Sequence, residues 1–135
     1  MATTGKKALL IGRSSLVGIP QVIMFGSKGI DCTVTLAHSR TENLDDLISE
    51  SEIVVPAIGV PGIINSKNVK KDAILLDVGI SSDDKGIHGD VDFDSVDGIA
   101  KAVTPMPGGT GPMTVACLLE NTMKAAELQG IISSK

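Results

Sequence analysis

The sequence has almost no aromatic residues. Its 135 residues include no Trp, no Tyr and two Phe, Phe25 and Phe93. Surfaces that stack nucleobases are built largely from aromatic side chains, and tyrosine acid–base chemistry needs a tyrosine. Basic residues are also few, at 12 against 16 acidic ones for a net charge of -4. A nucleic-acid partner is therefore not expected, because it requires a basic surface.

Cysteine and long apolar runs are scarce as well. Cys32 and Cys117 form no CxxC pair, so neither a disulfide framework nor a zinc site is predicted, and both are interpreted as small core residues. Residues 90–94 (DVDFD) resemble a calcium loop, but Ser95 and Lys101 stand where Gly and Glu are needed, so no metal is expected. No run approaches the roughly 20 apolar residues of a membrane span. We expect a cytoplasmic protein without a membrane partner.

The apolar residues that are present occur in short, unalternating runs, which are typical of strands buried on both faces. The runs are ALLI at 8–11, IVV at 53–55, AILL at 73–76 and AKAV at 100–103. Between them, apolar spacing predicts helices over 19–26 and 116–126 and a more polar helix starting at Thr41. A hairpin is predicted around 84–86. The length and alternation predict one domain over residues 1–135, a Rossmann-like α/β fold: a doubly wound, mostly parallel sheet with helices on both faces.

The turn after the first strand, GRSSLVG at 12–18, has features of a phosphate-binding loop. Gly12 permits a tight turn, the small Ser14 lets a phosphate approach the backbone, and Gly18 permits close helix packing. Ser replaces the second glycine of GxGxxG, and the last glycine comes one residue late. A ligand-free strand-to-helix turn therefore stays open as an alternative.

The second strand ends in HSRT at 38–41, where dinucleotide folds bind the adenosine ribose. An acidic residue there would favour NAD, and none is present. Ser39 and Arg40, joined by Arg13, favour the 2′-phosphate of NADP, although Arg40 alone is equally consistent with a solvated surface charge. His38 is interpreted as a residue that positions the loop by hydrogen bonding.

Glycine-rich stretches follow the later strands. AIGVPG at 57–62 and DVGI at 77–80 leave room for a flat ring, and TPMPGGTGPMT at 104–114 leaves free amides ahead of the last helix. A Walker A loop is excluded because its Lys is missing. Tight turns without a ligand remain the alternative for each stretch.

Taken together, the segments resemble the nucleotide-binding domain of the bifunctional methylenetetrahydrofolate dehydrogenase/methenyltetrahydrofolate cyclohydrolase family. The resemblance rests on GRSSLVG, HSRT, AIGVPG, DVGI, HGDVDF and TPMPGGTGPMT, in this order and spacing over nearly the whole chain. Thr110 stands where the family usually has Val.

The resemblance implies a set of cofactor and substrate positions. Gly12, Arg13 and Ser14 would hold the phosphates. Arg13 and Ser39, with the help of Arg40, would bind the ribose 2′-phosphate. Ile80 would lie against the nicotinamide end. The full expected cofactor set is Gly12, Arg13, Ser14, Val17, Gly18, Ser39, Arg40, Gly59, Ile80 and Thr114, and Pro107, Gly108 and Gly109 would border the folate crevice.

The resemblance also implies an activity. Hydride would pass from 5,10-methylenetetrahydrofolate to NADP, and the methenyl product would be hydrolysed to 10-formyltetrahydrofolate, within one-carbon metabolism and purine biosynthesis. The family's amino-terminal domain, which carries a catalytic Tyr and Lys, is not in this chain, so we expect folate binding only with that domain and little activity alone. Two alternatives stay open: a non-catalytic dinucleotide-binding or dimerisation module, and a dehydrogenase of the shikimate type. If the HGDVDF segment is exposed, it could pair with the same segment of a second copy and form a homodimer.

Overall fold

The computed structural model describes residues 2–84 and 86–132. The strands are β1 (Lys7–Ile11), β2 (Thr33–Ala37), β3 (Ile53–Pro56), β4 (Ile74–Leu75), β5 (Ser81–Asp83), β6 (Gly86–His88) and β7 (Ala102–Val103). The helices are α1 (Gly18–Gly26), α2 (Leu44–Glu50), α3 (Phe93–Val96) and α4 (Thr110–Leu128).

Five strands form one parallel sheet in the order β2-β1-β3-β4-β7. The central strands β1 and β3 are buried on both faces, which matches their unalternating apolar sequences. Leu9 and Ile11 contribute to the core on one face, and Ala8 and Leu10 to the core on the other. All strand ends that carry the predicted loops therefore lie at one edge of the sheet.

Helices cover both faces of this sheet. Val22 and Phe25 of α1 pack on one face. Ile48 of α2 and Val96 of α3 are fully buried on the other. The predicted Rossmann-like α/β fold is confirmed, as is the hairpin, which β5 and β6 form around Asp84, while Lys85 lies outside the described residues.

The predicted start of the second helix was wrong. The second helix begins at Leu44, not Thr41, because the Thr41 hydroxyl accepts a hydrogen bond from the His38 N–H and holds the turn that follows β2. The segment from 57 to 73, for which the sequence predicts no helix, consists of turns and irregular backbone. Asn65 and Asn68 accept hydrogen bonds from nearby backbone amides there, an arrangement that favours turns.

The HGDVDF segment is also not an exposed edge. Its central residues Gly89, Asp90 and Val91 are buried, and Val91 pairs with Ile64 in an isolated parallel bridge. The backbone of this segment is therefore used inside the domain. The exposed strand edges nearby are those of the β5–β6 hairpin.

The long helix α4 has no buried residue. Cys117 is consequently exposed, and the prediction that it is a core residue was wrong, since α4 lacks a core to pack against. Cys32 is half-buried beside the core under α1, and burial raises the pKa of its thiol. Within the described chain, no helix combines the length and apolarity needed to cross a membrane.

Candidate functional site

The first loop at the carboxyl edge is held by glycine contacts. Gly12 has a φ of 118°, which favours glycine, and its N–H donates to the Ala37 carbonyl at 2.9 Å. Gly18 begins α1 directly against the Gly12 carbonyl and the Arg13 backbone, and a Cβ there would collide with both. The helix start is thus packed onto the turn, as the sequence predicts.

Ser14 closes this loop. Its hydroxyl accepts from the N–H of Val17 at 3.1 Å and of Gly18 at 3.5 Å, and its carbonyl accepts from the Ile19 N–H at 3.0 Å. Within residues 2–84 and 86–132, the amides of Arg13 and Ser14 form no hydrogen bond. Free donors beside a helix start fit a phosphate group.

The second loop lies beside the first. Ile11 of β1 is paired with Ala37 of β2 in the parallel sheet. Arg13 and Ser39 each follow two residues after this pair, so they leave adjacent strands at the same height. Arg13, Ser39 and Arg40 are exposed. In the described part of the chain neither arginine side chain has an ion-pair partner, and two unpaired guanidinium groups suit a doubly charged phosphate.

The His38 ring positions this second loop. Its Nδ1 atom accepts from the Arg40 N–H at 3.2 Å. This contact agrees with the interpretation of His38 as a hydrogen-bonding residue of the loop.

Gly59 and Ile80 meet at the next part of the edge. A Cβ on Gly59 would lie 3.2 Å from the Ile80 carbonyl oxygen, and Gly59 has a φ of 70°. The Ile80 side chain is 63% exposed. An exposed apolar side chain at this position offers a surface on which a flat ring can rest.

The 104–114 stretch is anchored to β4 through threonines. The Asp77 N–H donates to the Thr104 hydroxyl at 2.8 Å, and the Thr110 hydroxyl donates to the Asp77 carbonyl at 3.1 Å. Thr110, where the family usually has Val, therefore adds a hydrogen bond. Pro107 and Gly108 are exposed, and a Cβ on Gly109 would collide with the Pro105 carbonyl.

An open groove of about 1020 Å³ runs between α1 and α4. Val17, Gly109 and Thr114 line it, together with Leu76 and Val78 of the sheet edge. The structure thus brings these three predicted residues to one surface. The other predicted residues lie outside the groove lining, most of them at the ends of β1 to β4, whereas Pro107 and Gly108 lie between β7 and α4.

Sequence reasoning missed two buried carboxylates, Asp77 and Asp90. Asp77 accepts from the N–H of Asp90 and of Val91, each at 3.0 Å, and Asp90 accepts from the loop after β3. Burial raises the pKa of the Asp77 carboxyl, with the Asp90 charge adding to this and the amides opposing it. The sequence signal that could have revealed them is a glycine close to each aspartate. Gly79, near Asp77, leaves room for the Asp90 carboxylate, and Gly89, next to Asp90, leaves room for the Asp77 carboxylate.

No group of three or more metal-ligating side chains occurs within 2–84 and 86–132. The chemistry of the edge is instead that of backbone amides, hydroxyls and arginines, which suits phosphates and sugars.

A parallel sheet of this order, with a glycine turn packed onto the first helix, defines a doubly wound, Rossmann-like α/β domain. The comparison with known families is more specific. The profile of the tetrahydrofolate dehydrogenase/cyclohydrolase NAD(P)-binding domain matches residues 1–130, and the chain belongs to this family.

Curated relatives agree with this assignment. The chain is 49% identical over 121 residues to the bifunctional protein FolD of Pelagibacter ubique and 48% identical over 126 residues to that of Lactococcus lactis. These alignments cover 90% and 91% of the chain but 42% and 43% of the relatives. The chain therefore spans less than half the length of the curated relatives it matches.

Solved structures show the same relation. A 5,10-methylenetetrahydrofolate dehydrogenase from the silkworm Bombyx mori superimposes with a TM-score of 0.91 at 40% identity, covering 98% of this chain and 48% of that one. The Trypanosoma brucei methylenetetrahydrofolate dehydrogenase-cyclohydrolase, complexed with NADP and an inhibitor, gives 0.82 at 36% identity, covering 91% and 44%.

Proposed function

We propose that this chain is the NADP-binding domain of an enzyme that oxidises 5,10-methylenetetrahydrofolate to the methenyl form and hydrolyses it to 10-formyltetrahydrofolate. The observation that carries the proposal is the pair of neighbouring loops after β1 and β2. Within residues 2–84 and 86–132, the Arg13 and Ser14 amides there have no hydrogen bond and neither Arg13 nor Arg40 has an ion pair. The family to which the chain belongs, and the NADP in the Trypanosoma relative, support it.

Each loop has a distinct part in this proposal. The amides of Arg13 and Ser14 bind the phosphates, and Gly12, Val17 and Gly18, whose amides donate within the protein, hold the loop in shape around them. Arg13, with Ser39 and Arg40, binds the ribose 2′-phosphate through charge-assisted hydrogen bonds. These contacts hold one end of the cofactor at the β1–β2 side of the sheet.

The other end of the cofactor lies over the ends of β3 and β4. Ile80, Gly59 and Thr114 position the nicotinamide ring, and Pro107, Gly108 and Gly109 border the folate crevice. NADP supplies the hydride acceptor when bound. The apolar Ile80 side chain keeps water away from one face of the ring, and folate binds only when the family's amino-terminal domain completes the crevice.

The direct test is a titration with NADP and with NAD, measured separately by calorimetry. Replacement of Arg13 by Ala removes a charged donor to the 2′-phosphate, so NADP should bind about tenfold more weakly while NAD changes by less than about twofold. The matched control is Lys101→Ala, which removes one exposed positive charge at the amino-terminal end of β7. Equal loss for both cofactors, or equal loss in the control, would contradict the assigned role.

A non-catalytic dimerisation module is the second candidate. It is favoured by the β5–β6 hairpin, whose exposed strand edges can pair with a second copy. We propose that the chain forms a homodimer through this hairpin in either case. We also propose that residues 1–135 form a single domain. The cytoplasm, one-carbon metabolism and purine biosynthesis are the proposed setting, and the unpaired Cys32 and Cys117 suit a reducing compartment.

A further inference from the structure

Asp77 and Asp90 form an interlocked pair behind the loops of the proposed cofactor site. Both are almost fully buried, with relative exposures of 1% and 0%. The Asp90 carboxylate lies where a Cβ of Gly79 would be, and the Asp77 carboxylate lies where a Cβ of Gly89 would be. Each carboxylate is therefore enclosed by the glycine segment of the other.

The two carboxylates use their oxygens differently. Both oxygens of Asp77 are occupied, Oδ1 by the Asp90 N–H and Oδ2 by the Val91 N–H. Asp90 accepts both of its hydrogen bonds at Oδ2, from the N–H of Ile58 at 2.8 Å and of Gly59 at 3.2 Å. Its Oδ1 is buried and has no hydrogen-bond partner among the described residues.

The loop that Asp90 holds touches two parts of the proposed site. Gly59 lies against the Ile80 carbonyl, and Gly12 lies against the Ala57 carbonyl. None of the ion pairs in the described residues involves Asp90. The result is a buried carboxyl group, without an ion-pair partner among the described residues, directly behind the backbone at Gly59.

We propose that Asp90 is a positioning residue that holds the Ile58 and Gly59 amides and whose buried charge favours the oxidised cofactor over the reduced one. The inference rests on the proposed function, which places the nicotinamide over Gly59 and Ile80. The oxidised ring carries a positive charge and the reduced ring is neutral, so only the oxidised form is attracted. Attraction between charges is strong where little water lies between them.

The test is Asp90→Asn in this chain, with separate titrations of NADP⁺ and NADPH. The Asn carbonyl oxygen can accept from both amides, and its NH₂ takes the place of the unpartnered Oδ1, so the fold and loop are retained. We expect NADP⁺ to bind about three- to tenfold more weakly and NADPH to change by less than about twofold. Asp94→Asn is the control, since it removes an exposed carboxylate from the same region.

The outcomes separate the two proposals. Equal weakening of both cofactors, or an unchanged ratio of affinities, overturns the role of the Asp90 charge and leaves the proposed function standing. If the unsubstituted chain binds neither cofactor, the proposed function itself fails, and this inference fails with it.

Discussion

Asp77 holds its proton to a higher pH in the folded protein than in the unfolded chain, because burial disfavours its charged form. The folded state therefore binds more protons than the unfolded state at pH values above the usual pKa of 3.8. This contribution to stability is present below that pH and is lost as the pH rises through the folded-state pKa. Ionised Asp77 thus costs stability at neutral pH, even though its oxygens organise the backbone of Asp90 and Val91.

Replacement of Asp77 by Asn should flatten this pH dependence. Urea unfolding between pH 4 and 7 measures it, with Asp94→Asn as the exposed control. The free energy of unfolding should also fall by about 1–3 kcal/mol. The Asn NH₂ group would face a backbone N–H that now donates to the carboxylate, and two donors cannot form a hydrogen bond. A variant that keeps the slope of the unsubstituted chain would show that another group causes it.

The elements that the sequence predicts best are those with one dominant signal. β1 and β3 are short apolar runs, and α1 follows a clear helical period, so their positions follow from the residues alone. The irregular segment from 57 to 73 depends on turn hydrogen bonds of Asn65 and Asn68, which periodicity does not show. The Asp77–Asp90 pair joins segments 13 residues apart, and only the fold reveals that each fills the space over the other's glycine.

The start of α1 is the element whose packing the sequence predicts most directly, and Gly18→Ala tests it. The added methyl would meet the Gly12 carbonyl, so we expect a loss of about 1–3 kcal/mol in unfolding free energy and weaker NADP binding. Gly26→Ala at the other end of the same helix is the matched control, because its Cβ would make only an ordinary contact, 3.9 Å from Val34. This control should be neutral or more stable by up to about 1 kcal/mol. A stable Gly18→Ala protein with unchanged affinity would refute the close packing.

On the scale of the whole molecule, α4 is the least expected feature. A helix of 19 residues with no buried side chain leaves large apolar groups in water, among them Met113, Leu118 and Leu119. Exposed apolar surface of this extent marks an interaction site. Apolar spacing in α4 predicted a buried face, which the described residues do not form.

The last prediction concerns the complete crevice. Adding the family's amino-terminal domain in trans should restore NADP-dependent oxidation of methylenetetrahydrofolate, because the groups positioned on each half then meet. The absorbance of NADPH measures this turnover. Leu118→Gln should weaken this rescue, since Leu118 lines the groove between α1 and α4. Leu119→Gln is the control, because Leu119 is 64% exposed, close to the 65% of Leu118, but does not line the groove. If no turnover appears while the chain still binds NADP, the non-catalytic module is the better description.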